Sequence, residues 1–199
     1  MSRTPRRALI LVDVQNDFCE GGSLPVAGGA EAARRIGEYV SDQAGSYAAV
    51  VATADWHDDP GPHFSDHPDY VDSWPAHCRA GTDGALFHPA AEPAFEHVQA
   101  VFRKGLDRAA YSGFEGSTAD GDRRVGLAQW LRERGVDALD IAGIATDHCV
   151  RATALDAVGE GFATRVLLDL TAGVAPATTR SAVDQLRAAG AELVGTPLA

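Results

Sequence analysis

The segment Ile144–Val150, "IATDHCV", places a thiol just after a short apolar run, where a strand hands over to a helix. By residue type alone, an isolated cysteine such as Cys149 is more often a small buried hydrophobe than a nucleophile. Its position argues the other way. Unpaired backbone N–H groups and the positive end of the macrodipole at a helix start favour the thiolate, which is the attacking species. The same N–H groups can hold the oxygen of a tetrahedral intermediate. Such a thiol needs a base, and His148, its neighbour in sequence, would point elsewhere from a helix or tight turn. Asp13 is the better candidate. It interrupts an apolar strand, where a carboxylate is either a structural cap or a functional group, since burying it without a partner is costly. Lys104, at another strand end, reads either as a solvated loop lysine or as the partner of Asp13. An ammonium within ~4–6 Å would keep that carboxylate ionised.

A second set of chemistry-bearing residues lies between Asp55 and Glu96, in "DWHDDPGPHF" and "SWPAHC". Asp55, His57, His63 and His77 supply one carboxylate and three imidazoles, a donor set suited to zinc, iron(II) or manganese. Spacing alone leaves a polar surface loop with scattered histidines as an equal alternative. His67, in "SDHPD", is excluded because its flanks read as an exposed turn.

The elements that must position these groups alternate along the chain. "RALILVDV", "YAAVVATAD", "VQAVFRK", "ALDIAGIA", "TRVLLDL" and "AELVG" read as strands; "AEAARRIGEYVSDQA", "RRVGLAQWLRERG", a segment from about His148 to Gly161 and "ATTRSAVDQLRAAG" read as helices. Continuous apolar strands between amphipathic helices predict an α/β fold, a three-layer α/β/α arrangement around a mainly parallel sheet of about six strands. Ligands of such sheets collect outside the carboxyl ends of the strands, so Asp13, Asp55, Lys104 and "ATDHC" should meet on one rim. The pattern pauses over 55–96. A loop that long is usually functional or disordered, and its Trp56, Phe64 and Trp74 argue for order. Residues 1–6 are expected to be disordered and 1–199 to form a single domain.

With 28 acidic against 17 basic residues, the formal charge is −11, which disfavours nucleic acid and anionic membranes as partners. The apolar run near the start, Ala8 to Val12, is too short for a membrane span and lacks a cleavage site. Three widely spaced cysteines, Cys19, Cys78 and Cys149, suit a reducing cytoplasm better than a disulfide framework.

Taken in order, "DVQNDFCEGGSL", "DWH…PGPHFS…SWPAHC", "KGLDRAAYSGFEG" and "GIATDHCVRATALDA" resemble the nicotinamidase/pyrazinamidase family of isochorismatase-like cysteine hydrolases, over about Ala8 to Val194. The resemblance implies that Asp13, Lys104 and Cys149 form a catalytic triad and that Asp55, His57, His63 and His77 bind one divalent metal ion. It also implies an oxyanion hole from the N–H groups of Ala145 and Cys149, a cis peptide between Ile144 and Ala145, and a ring pocket lined by Phe18, Trp74 and Tyr111. The substrates implied are nicotinamide and pyrazinamide, and assembly as a monomer or a homo-oligomer is left open. A related hydrolase acting on another small amide or ureido compound is the rival reading. A non-catalytic metal or thiol sensor would leave Asp13 and Lys104 unexplained.

Overall fold

The computed structural model describes residues 4–198. Eight strands form one sheet in the order β5-β4-β3-β2-β1-β6-β7-β8, where β1 is Arg7–Val12, β2 Ala49–Asp55, β3 Val98–Lys104, β4 Ser117–Asp120, β5 Arg123–Gly126, β6 Ala138–Ile144, β7 Ala163–Ala172 and β8 Glu192–Val194. Only β3·β4 and β4·β5 pair antiparallel. The helices are α1 (Gly29–Gln43), α2 (Glu92–Phe95), α3 (Leu127–Glu133), α4 (Arg151–Gly159) and α5 (Pro176–Ala188).

The layering follows from the side-chain alternation of β1. Ile10 and Val12 join a core with Leu127, Trp130 and Leu131 of α3, Ala154 of α4 and Leu186 of α5. Leu9 and Leu11 face the other way, onto Ala33, Ile36 and Val40 of α1 and Ala94 of α2. A strand covered on both faces has no polar side to spare, so its sequence is apolar throughout.

Two strands more than the expected six are present, and they come at the expense of a helix. The helix expected from Arg123 starts only at Leu127, because Arg123–Gly126 pairs with Ser117–Asp120 in a two-residue hairpin. Gly121, at φ 61°, sits first in its loop and supplies the positive φ such turns need. At the amino end, the N–H of Arg6 donates to Asp137 Oδ1 at 2.7 Å and its carbonyl accepts from the N–H of Asp137, tying the chain before β1 to the residue before β6. Residues 1–3 lie outside the described set.

The 55–96 segment is ordered by short 3-10 turns at 61–63, 83–85 and 89–91 and by single bridges pairing His57 with Arg79 and Phe64 with Trp74. Asp17 Oδ2 accepts the N–H of Cys78 at 2.7 Å, tying the segment to the chain after β1.

Candidate active site

Strand β1 lies between β2 and β6, where the order of connection reverses, and the chain ends of these strands open a crevice at such a point. Asp13 immediately follows β1, Asp55 and Lys104 are the last residues of β2 and β3, and Cys149 lies five residues beyond β6. All four are buried.

Asp13 adopts φ 47°, a left-handed conformation that costs a non-glycine residue of order 1 kcal/mol. Its carboxylate is held from two sides. Thr53 donates its hydroxyl to Oδ1 at 2.6 Å, and Lys104 Nζ lies 2.9 Å from Oδ2. No aligned hydrogen bond reaches Oδ2 among the described residues, which leaves a lone pair for a thiol proton. Cys149 Sγ, an Asp13 oxygen and an Asp55 oxygen lie within 4.8 Å of one another. Lys104 Nζ stands among them, 3.6 Å from Sγ and hydrogen-bonded to Asp55 Oδ1. The ammonium occupies the centre of this group, so these three acids are not a metal cage.

The charges follow from burial and neighbours. Burial pushes the Cys149 thiol well up; Lys104 pulls it back, but Asp13 and Asp55 add to the rise. Burial likewise raises the Asp13 carboxyl above its ordinary range, opposed by Lys104. Lys104 is itself kept charged: burial disfavours its ammonium, and the two carboxylates outweigh that. Burial therefore favours a neutral Cys149 thiol over the thiolate that a helix start alone would favour, in keeping with the expected need for a base. The local backbone differs too, since Thr146–Val150 forms one wide π-helical turn before α4. The Ile144–Ala145 peptide is cis, as the resemblance implied.

Beside this group, one nitrogen from each of His57, His63 and His77 lies within 4.8 Å of the others. Asp55 bridges the two clusters: its Oδ2 lies 3.7 Å from His57 Nε2 and 3.9 Å from His77 Nε2. The outer nitrogens are fixed, His57 Nδ1 on the Gly105 carbonyl at 2.5 Å and His77 Nδ1 on the Pro75 carbonyl at 2.8 Å. That arrangement sets the tautomer and turns the Nε2 lone pairs inward, as in metal-bound histidines. His57 Nε2 and His63 Nδ1 are buried without a hydrogen-bond partner, and such orphaned acceptors fit a divalent cation. Burial, helped by His77 and His57, lowers His63 to about 4, so its imidazole is neutral near pH 7. Gln15 steadies Asp55 from behind, accepting its backbone N–H and donating to its carbonyl, both at 2.8 Å.

One pocket opens onto both clusters, walled by Phe18, Trp74 and Tyr111 together with Ala145 and Cys149. Trp74 Nε1–H donates to the Tyr111 hydroxyl at 3.0 Å. Every site residue expected from the sequence thus converges here, and His67 stays outside, exposed. The sequence reading missed Leu24, Val26, Val174 and His148 as pocket walls. The His148 ring meets Trp74 edge-on at 5.0 Å and stacks on Tyr111 at 6.2 Å. Thr53 was also missed, although a hydroxyl in an otherwise apolar strand was a usable signal.

A neutral thiol beside a carboxylate–ammonium pair, at the carboxyl rim of a parallel sheet covered on both faces, defines an α/β enzyme of the hydrolase class. Residues 7–197 match the isochorismatase domain, and the chain belongs to the isochorismatase family. It is similar to the nicotinamidase/pyrazinamidase of Mycobacterium tuberculosis, 58% identical over 188 residues that cover 94% of this chain and 98% of that protein. Among solved structures, the pyrazinamidase of Pyrococcus horikoshii in complex with zinc is 37% identical with a TM-score of 0.79, covering 96% of this chain and 99% of that one. PnC1 of L. infantum in complex with nicotinate is 36% identical with a TM-score of 0.81, covering 94% and 91%. No helix among the described residues is long and apolar enough to cross a membrane.

Proposed function

We propose that the chain is a metal-containing cysteine amidohydrolase that converts nicotinamide to nicotinate and ammonia, and pyrazinamide to pyrazinoate, in pyridine nucleotide salvage. The observation that carries this reading is one aromatic pocket open at once to Cys149 and to the His57, His63 and His77 cluster. The relatives and neighbours named above support the substrate class.

In this reading Asp13 Oδ2 takes the thiol proton as Sγ attacks the carboxamide carbon, so thiolate exists only as it is consumed. Lys104 keeps Asp13 ionised before attack, and the N–H groups of Ala145 and Cys149 receive the oxyanion, each donor contributing about 3–4 kcal/mol. Asp13 returns the proton to the leaving ammonia, the acyl group stays on Sγ as a thioester, and Asp13 then deprotonates the water that releases the acid. Asp55, His57, His63 and His77 hold the divalent ion, zinc, iron(II) or manganese, whose bound state supplies an electrophilic anchor for a ring nitrogen. Phe18, Trp74 and Tyr111 orient the ring. The test is ammonia release from nicotinamide with and without a chelator. Turnover that is lost on chelation and restored by metal is expected, and absence of turnover by metal-loaded protein would overturn the proposal.

A further inference from the structure

On the outer side of β3, behind the active site, a cavity of about 500 Å3 is lined by Arg103, Arg108 and Arg124 around Trp56 and Ser117. A second hollow of about 590 Å3 continues from it along the β4–β5 hairpin and shares Arg103, Ser117 and Arg124. The concentration of guanidinium groups is unexpected in a chain of net charge −11. Among the described residues eight arginines pair with carboxylates, Arg34, Arg132, Arg165 and Arg187 among them. Arg103, Arg108 and Arg124 form no ion pair among the described residues. Asp107 and Glu115 also line the cavity as anions, with Glu115 Oε2 accepting the N–H groups of Tyr111 and Ser112, both at 2.9 Å, so the three arginines leave it one positive charge in excess at the least.

Arg103 and Arg124 are held in place. Sheet register sets Arg103 of β3 directly opposite Ser117 of β4. The Arg103 guanidinium lies over the Trp56 ring, 4.0 Å from its centroid, a geometry that orients a cation without neutralising it. Arg124 Nε donates to Ser117 Oγ at 2.5 Å, which fixes the fork, and its two Nη groups make no hydrogen bond among the described residues. Oriented, unneutralised guanidinium forks in a cleft match a tetrahedral dianion, which they bind bidentately, and the cleft walls focus their field.

We infer that this cavity is a binding site for a phosphate dianion, separate from the pocket that holds Cys149. Lys104 and Gly105 also line it, and the Gly105 carbonyl fixes His57, so the cavity backs onto a residue that holds the imidazole cluster. The proposal does not depend on the substrate assigned above.

Two sources carry this chemistry, free phosphate and the phosphate of a nucleoside monophosphate, and calorimetric titration of the metal-loaded protein with inorganic phosphate and with AMP distinguishes them. One equivalent should bind per chain, weakening as salt rises. Equal affinity would identify the phosphate group alone as the ligand, and tighter AMP binding would add the nucleoside; either supports the site. In R103Q/R124Q the affinity should fall at least about tenfold, the loss expected for charge-assisted bonds to a dianion, while ammonia release without phosphate stays at the parent level. The single variant R108Q, at an exposed loop position, should weaken binding in the same direction even if the double variant misfolds. No saturable binding to the parent, or binding unchanged in a folded R103Q/R124Q and in R108Q, would overturn the inference.

Discussion

Replacing Lys104 by Met keeps the length of the side chain and removes its charge. The ammonium lies 2.9 Å from Asp13 Oδ2, where a unit charge pair is worth about 6 kcal/mol at an effective dielectric of 20. Relief of the lysine's own desolvation returns part of that, and breaking one partner out of a buried pair costs about 3–5 kcal/mol. If about 3 kcal/mol falls on the charged form of Asp13, its proton affinity rises by roughly two further pH units. Asp13 already stands above the ordinary carboxylate value of 3.8. A base works only when deprotonated, so kcat/KM should fall on the acid side, and in Lys104→Met that acid limb should move to higher pH. The expected fall in kcat/KM is up to about a hundredfold, largest on the acid side, read as ammonia release from nicotinamide across pH 5–9. Thermal unfolding of the same variant should show the lost stability. A variant within about tenfold of the parent, with an unmoved acid limb, would refute the assignment of Lys104 as the group that holds Asp13 ionised.

Benzamide presents the same scissile amide without a ring nitrogen, and its kcat/KM should lie at least roughly a hundredfold below that of nicotinamide, the upper end of what a missing group costs in a pocket; comparable rates would show that the metal does not select the substrate. Elemental analysis after reconstitution should find one divalent ion per chain in the parent and in His67→Ala, and clear loss in His57→Ala; metal retained in His57→Ala would remove the proposed ligand set. His63 bears on the metal-free protein: burial lowers it from 6.5 to about 4, so between those values the unfolded chain binds the extra proton. Stability of the apo-protein should therefore decline as pH falls from 6.5 towards 4 and recover on the way back up, and a thermal midpoint that is flat across this window would contradict a buried neutral His63.

Much of this arrangement was legible because parallel-sheet physics writes itself into sequence. Apolar runs ended in Asp13, Asp55 and Lys104, and strand ends on one rim must meet. The antiparallel hairpin escaped because "DGDRRVG" carries charges at helical spacing, whereas Gly121 and the pairing of Ser117 with Gly126 decide it. The need of Cys149 for a base was legible, but its cause was not: a helix start favours thiolate only while solvent can support the charge, and here burial with two nearby carboxylates opposes it. Val174 and His148 became pocket walls through tertiary ties that no local pattern records. Asp147 accepts the N–H of Val174 at 2.9 Å and so fastens the loop before α5 to the turn that carries Cys149.

Passage of an acyl group through Cys149 is the central step of the proposed reaction. Metal-loaded protein acid-quenched during turnover of nicotinamide, then digested and examined by mass spectrometry, should carry a nicotinoyl group in place of one hydrogen on the peptide containing Cys149, and on neither Cys19 nor Cys78. Cys149→Ala should carry no adduct and release no ammonia. Ammonia release by Cys149→Ala near the parent rate, or a turnover-dependent adduct at Cys19 or Cys78, would contradict it.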